Sequence, residues 1–541
     1  MRNDLKSETA VFTRDATGLV REIGAFDAFV TNFLSMALLG VLFTMVFAMG
    51  LYPDANLPLS IAMALVPAVI IALTYVMMSV AMPRTGGDYV WVGRITHPII
   101  GFIVNFGLTF YLFTFIAIDV GIFTQWGIGA YFYDVGIANN NQAALSIASA
   151  LNAPGSMTVF GISVVLIVLA SLLVALGTRW TMRLQKVGWL VIVVAGLTYL
   201  GLALGTKNST FIQNFNTESG TSVSSVIASA NSQGFNPSVT LFGTIVGFVY
   251  MFLNFTGFNF STYASGEIRN IRKSQIVGVV ASLLVFGALI ISLVAVTQYV
   301  FGYDFVHALS YLWDEIFYGL NPQAPYPQTL GPAFPVFLIG FLTKNPVLIF
   351  IITIGVAVTM FFNVVPYIFV STRNMFAWSF DRTVPESLSK VDSRFHTPYV
   401  ALLVTAVLSI AMTYVSSYTT IPVLFTYLTL LVALLFTIVG ASAAIFPYRR
   451  KDIFDSSPGL VKKRIGNLPV ISLLGVLTVA SALFVGYSVF LPQFSGPFVL
   501  DNFLAVVAVV VAPIIIFIVS YFYHKSKGIP VELIQKEIPP E

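Results

Sequence analysis

Cysteine is missing altogether from this chain of 541 residues, which excludes disulfide bonds, thiol nucleophiles and thiolate metal sites. Charge is scarce too: Asp, Glu, Lys and Arg make up 9% of the residues, against about 25% in an ordinary soluble domain. Histidine is limited to His97, His307, His396 and His524, each standing alone. The sequence has no His-Glu-x-x-His pair, no phosphate-binding loop and no nucleophile elbow, so zinc hydrolase, kinase and serine hydrolase chemistry lack their groups. A membrane enzyme would also need its catalytic side chains clustered. Net charge is +4, but the basic residues fall in small groups between apolar runs, without the continuous basic face that nucleic acid requires.

Apolar surface is what the chain has in excess, with 57% hydrophobic residues and a mean hydropathy of +0.88. A spanning helix needs about 20 apolar residues. Windows of that length place helices near 27–51, 57–82, 99–133, 157–176, 187–205 and 241–264, then 276–301, 334–375, 398–416, 421–446, 468–491 and 500–523. The third and eighth runs exceed a bilayer, so they are expected to tilt or project into water. Arg2, Asp4, Lys6, Glu8, Arg14 and Asp15 precede the first run without the layout of a cleaved signal peptide, so the first helix is expected to be retained.

Lys and Arg resist translocation and collect in cytoplasmic connections. Sorted into alternate connections, 25 of the 27 fall on one side and only Lys207 and Lys344 on the other. A wrong span count would scramble that alternation. The expected layout is therefore a cytoplasmic N-terminal tail (1–25), a membrane core of ten helices (26–446), a cytoplasmic loop (447–467), two further helices (468–523) and a cytoplasmic C-terminal tail (524–541). The connection 206–240 is rich in Asn, Ser and Thr, as an external loop should be, and Asn208 opens an Asn-Ser-Thr acceptor for a glycan. His307–Leu320 reads as an amphipathic helix lying at the interface.

Three basic-side segments carry a pattern that composition does not predict. The first is Met82-Pro83-Arg84-Thr85-Gly86-Gly87-Asp88-Tyr89-Val90-Trp91-Val92-Gly93-Arg94, followed by Pro98, Gly101 and Phe102. Paired glycines allow a tight turn and close backbone approach. The second is Gly257-Phe258-Asn259, then Ala264, then Glu267-Ile268-Arg269-Asn270; the third runs from Thr372-Arg373 through Asp381-Arg382 and Pro385 to Thr397-Pro398. Together and in this order they resemble the amino acid, polyamine and organocation (APC) superfamily of transporters, at its helix 2–3 connection, the exit of helix six and the helix 8–9 connection, across residues 20–450. Asn259 stands where the family often has glutamate, and Ile271 where it usually has proline.

That resemblance implies an all-α polytopic membrane protein: twelve transmembrane helices, helices one to five and six to ten forming inverted repeats, and two appended C-terminal helices. The first helix of each repeat would be broken, freeing backbone groups for a substrate at the midplane. In helix six the break is expected over Phe252, Leu253, Asn254, Phe255, Thr256 and Gly257, with Asn259 beyond it; the alternative is a continuous helix with a polar packing face. In helix one the family's glycine-rich break is represented by Ser35, Met36, Ala37, Leu38, Leu39 and Gly40, with Leu38 in place of one glycine.

Asp119 is the ionisable residue set deep in an apolar run, Phe113 to Phe123, where an unpaired carboxylate costs several kcal/mol. Three roles stay open for it: counter-ion to a substrate ammonium, protonatable coupling group, or structural residue near the outer interface. Many relatives carry a lysine in mid-helix five that substitutes for sodium; here the position is Ile192, with Lys186 at the basic end. Thr359 and Asn363 of helix eight offer oxygen donors to a coupling cation, or an interhelical hydrogen bond. The expected function is a secondary transporter, a permease for amino acids or related amines. The alternatives are a polyamine or organocation exchanger of the same fold and, further off, a channel. No cofactor or resident metal is expected, the coupling ion is left open between proton and sodium, and the partners are a small-molecule substrate and the lipid bilayer, around a monomer or homodimer.

Overall fold

The computed structural model describes residues 19–153, 155–327, 329–418, 424–488, 490, 500–529 and 531–536. Arg2, Lys6 and Arg14 of the N-terminal tail, the expected start of the tenth span at 421 and the expected end of the eleventh at 491 lie outside the described residues. A backbone in lipid must satisfy its own hydrogen bonds, and a helix does so. Among the described residues, 11 helices are long and apolar enough to cross a membrane.

In chain order the spans are the first, broken into Ala25–Ser35 and Val41–Leu51; the second, Leu57–Ala81; the third, Pro98–Ala138; the fourth, Met157–Ala175; and the fifth, Thr178–Gly205. The sixth is shorter, Leu241–Phe252. Then come the seventh, Ile271–Phe301; the eighth, Pro346–Phe380; the ninth, Tyr399–Tyr418; the tenth, Leu424–Arg449; the eleventh, Val470–Ser488; and the twelfth, Leu500–Ser526. Sheet is confined, among the described residues, to a hairpin of Arg464–Ile465 with Leu468–Pro469. Burial ranks the spans: 78% of the apolar window of the first lies inside the protein, against 22% for the twelfth. The first span is thus the axis of the molecule and the twelfth an outer wall.

The eighth span begins later than its hydropathy predicts. Residues 335–341 form a separate 3-10 turn, and the helix starts only where the Asn345 side chain accepts the Val347 N–H and Pro346 takes the first helical position, a pairing that suits a helix start. The amphipathic helix between the seventh and eighth spans runs Tyr303–Phe317. Its apolar face, Phe305, Val306, Leu309 and Leu312, is buried inside the protein, so this helix covers the second half of the first span in place of lying on lipid. Asn208 is the first residue of a helix of the opposite face, Asn208–Glu218, and its amide donates to Val300 O at 2.9 Å.

The connections rich in Lys and Arg meet on one face. Arg269 N–H donates to Ile23 O at 2.9 Å, Ile23 N–H donates to Glu267 O at 3.0 Å, and Thr85 bridges to Ala264. The Arg94 guanidinium forks onto both oxygens of Asp381 at 2.6 and 2.9 Å, and Arg373 forks onto Glu267 at 2.9 and 3.0 Å while reaching Thr178 Oγ at 3.0 Å. All four charged side chains are about 1% exposed. Planar, bidentate geometry is what lets such buried charges persist.

Candidate substrate site

The first and sixth spans lose their helices at the same place. Ala37 takes a left-handed backbone, φ 52°, between Ala25–Ser35 and the 3-10 turn Leu38–Gly40. The sixth span passes from Phe252 into a 3-10 turn, Leu253–Phe255, and then to Gly257 at φ 103°, a conformation that only glycine adopts without strain. Its later part continues as short 3-10 turns, Phe260–Tyr263 and Ser265–Glu267. Gly257 sits so close to the other break that a Cβ there would lie 2.5 Å from Ser35 O. Among the described residues, Gly257 N–H takes no hydrogen bond.

Polar side chains hold the two breaks. Asn363 Nδ2 of the eighth span donates to Leu34 O at 2.9 Å, and one helical turn on, Tyr367 Oη donates to Ser35 O at 3.3 Å. Thr44 Oγ donates to Asn254 Oδ1 at 2.7 Å, and Asn254 Nδ2 to Met251 O at 3.2 Å. Thr256 Oγ donates to Leu253 O at 2.7 Å and accepts from Tyr111 Oη of the third span at 3.2 Å.

Tyr111, Phe115 and Asp119 recur every fourth residue and so share one face of the third span. Rings of Tyr111 and Phe115 lie 4.3 Å apart, Phe115 and Tyr367 6.4 Å, and Phe260 and Tyr367 5.3 Å. Asp119 is buried, its Oδ2 has no hydrogen-bond partner, and Tyr111 and Tyr367 are both close enough to sense its charge. One turn beyond it the third span widens into a π-helical stretch, Phe123–Ile128, a distortion common at functional sites.

Ser35, Met36, Ala37, Asn254, Phe255, Thr256 and Gly257 therefore gather around the paired breaks, with Phe252 and Gly40 at their edges. Asp119 approaches from the third span through Tyr111 and Phe115. Asn259 is placed elsewhere: it is buried on the side of Tyr75 of the second span. Asn259 lies in the turn between the 3-10 segments Leu253–Phe255 and Phe260–Tyr263, so it does not take the direction a continuous α-helix would give it. Thr359 Oγ is engaged within its own helix, donating to Gly355 O at 2.7 Å, whereas Asn363 ties the eighth span to the first. Ile192 is fully buried in the fifth span, and Lys186 pairs with Asp27 at 2.7 Å at the basic end. Thr44, Tyr111, Phe115 and Tyr367 were not among the expected residues; the four-residue recurrence ending on Asp119 is the sequence signal that would have found two of them.

Comparison with known proteins agrees with this architecture. The family described as amino acid permease matches residues 23–519. The branched-chain amino acid permease BcaP of Bacillus subtilis (strain 168) is 24% identical over 393 residues, covering 72% of this chain and 73% of that protein.

Proposed function

Because the chain belongs to the amino acid permease family of the APC superfamily, and is thus a multi-pass membrane transporter of amino acids, we propose that its substrate binds between the breaks of the first and sixth spans. The observation that carries this reading is the close approach of Gly257, at φ 103°, to Ser35, two residues before Ala37 at φ 52°. The substrate carboxylate meets the free Gly257 N–H, and the unwound end of the first span supplies carbonyl oxygens to its ammonium. Asp119 is the counter-ion on the ammonium side. Its buried, unpartnered oxygen and its two tyrosine neighbours support that role, since a carboxylate left alone at membrane depth is costly. Both termini face the cytoplasm; the collection of 25 of 27 basic residues on one side supports this orientation.

The test is uptake of a labelled amino-acid panel into proteoliposomes by wild type and Asp119→Asn, with counterflow measured alongside. Saturable uptake with counterflow is expected for the wild type, and at least tenfold slower uptake for Asp119→Asn. Flux without saturation would instead describe a channel. Absence of any amino-acid uptake would remove the substrate assignment, and normal uptake by Asp119→Asn would remove the role given to Asp119.

A further inference from the structure

Three acids are buried where the basic-side connections meet, and they are not treated alike. Glu267 and Asp381 each receive a guanidinium. Asp88 receives none. It is 0% exposed and is held by neutral donors only: Tyr75 Oη at 3.1 Å and Tyr263 Oη on one oxygen, and Asn105 Nδ2 at 2.7 Å on the other. Asn105 Oδ1 in turn accepts Trp378 Nε1 of the eighth span at 2.7 Å. One carboxyl group therefore joins the second, third and eighth spans to the irregular exit of the sixth. The backbone reinforces the joint, with Gly86 N–H donating to Tyr263 O at 2.9 Å.

Two of those three donors are hydroxyls, and a hydroxyl both donates and accepts. A proton placed on Asp88 Oδ2 is accommodated when one tyrosine turns from donor to acceptor, with no hydrogen bond lost. Glu267 and Asp381 each face a guanidinium, which only donates and holds the carboxylate charged, although Thr178 Oγ also donates to Glu267 at 2.6 Å. The remaining titratable and charged groups on the surrounding elements are already occupied. Tyr89 bonds Thr383 at 3.1 Å, Arg94 is paired with Asp381, and Arg450 donates to Arg94 O at 3.0 Å and to Asp452. Glu532, on the C-terminal helix against this connection, accepts from Tyr521 at 2.6 Å.

We propose that Asp88 is a proton-binding site that governs access from the basic face: it binds a proton more tightly while that face is sealed and gives it up more readily when the exit of the sixth span separates and water reaches the carboxyl. This rests on the transporter reading, and it assigns the coupled ion as a proton. The direction follows from linkage. In the sealed structure burial, opposed by hydrogen bonds from Tyr263, Asn105, Tyr75 and the Tyr89 backbone, pushes the Asp88 carboxyl up to about 6; in an open, hydrated form it returns to about 3.9. A proton binds the sealed form more tightly, so lowering the pH favours sealing, by about tenfold between pH 7.5 and pH 5.

The experiment uses the absence of native cysteine. A single cysteine at Ala264, which is 0% exposed beside this joint, reports opening by its labelling with a membrane-impermeant thiosulfonate applied to the basic face. Asn467→Cys, on the exposed hairpin of the same face, normalises for reagent and thiolate. Normalised labelling of Ala264→Cys should fall about tenfold from pH 7.5 to pH 5. Adding Asp88→Asn, which mimics the protonated acid, should give low labelling at every pH. Adding Tyr263→Phe, which removes one donor to the carboxylate, should move the fall to higher pH. Labelling independent of pH in the parent overturns the proposal, whatever the variants do. High labelling in Asp88→Asn also overturns it, because the charge itself would then be what holds the face shut. No substrate is needed, so a wrong substrate assignment leaves the result unaffected.

Discussion

Replacing Gly257 by alanine separates a functional break from a merely irregular one. At φ 103° an L residue is strained, at about 1–3 kcal/mol. The new methyl would stand 2.5 Å from Ser35 O and 2.7 Å from Ser35 Cβ, so the end of the first span must retreat by roughly half an ångström or more to regain ordinary contact. That oxygen is also the acceptor of Tyr367, so the retreat loosens the one bond that fixes it to the eighth span. Strain and lost contact together come to about 2–4 kcal/mol. At 1.4 kcal/mol per tenfold, the initial rate of labelled amino-acid uptake into proteoliposomes should drop at least roughly tenfold. Gly201→Ala is the control, because nothing lies within 4 Å of a Cβ at that position; its uptake should match wild type. Uptake by Gly257→Ala within twofold of wild type, at equal amounts of folded protein, would refute the claim that contact between the two breaks matters to transport.

Arg373→Ala strands Glu267 as a buried, unpaired carboxylate, and should cost about 3–5 kcal/mol, read as a fall in the thermal midpoint of the purified protein; Arg373→Met combined with Glu267→Gln should recover part of that loss. Asp314, on the Tyr303–Phe317 helix, is 2% exposed with neither oxygen hydrogen-bonded, and burial, followed by repulsion from Glu315, holds its carboxyl well above the ordinary range. A carboxyl raised in the folded state stabilises below its unfolded value and loses that contribution as pH rises. Asp314→Asn should therefore melt above wild type at pH 8, with the gap closing as pH falls toward about 4; a gap that does not depend on pH would refute this. Asn254→Ala removes the acceptor of Thr44 and the donor to Met251 and should cost about 1–3 kcal/mol. Thr44→Val in the same protein should add less than it costs alone, because the two share one hydrogen bond.

What could be read from the sequence divides along physical lines. Span number and the sidedness of the connections follow from apolar length and from the position of Lys and Arg, both local quantities. The break in the sixth span was legible because Asn254, Thr256 and Gly257 are each poor helix formers inside an apolar run. The break in the first span was not legible on that ground. Its left-handed residue is Ala37, whose side chain favours helix, and the conformation is imposed by Asn363, Tyr367 and Gly257, more than 200 residues away in the chain. The same limit applies to the ion pairs. Arg373 and Glu267 were both noted as parts of motifs, yet nothing in either motif says that the two meet across 106 positions. Asn259 was expected at the site from the resemblance, and the segment that carries it is not α-helical, so it lies toward Tyr75.

The buried charges also say how the basic face can open. Separating Arg373 from Glu267, or Arg94 from Asp381, in a dry interior would cost several kcal/mol per pair, more than a transport cycle can lose repeatedly. The cost disappears if water enters as they part, because a hydrated ion pair is worth only about 0–1 kcal/mol. Both pairs lie among the connections at the face, where water arrives first, and neither lies beside the paired breaks. Opening must therefore begin at the connections, with hydration of the guanidinium and carboxylate groups ahead of any movement at Ser35 and Gly257. Asp88 lies on that same path, tied to the exit of the sixth span through Tyr263, and its proton is free to leave at the same step. An order in which the breaks move first would leave the pairs to separate dry, and the depth and pairing of these four charges argue against it.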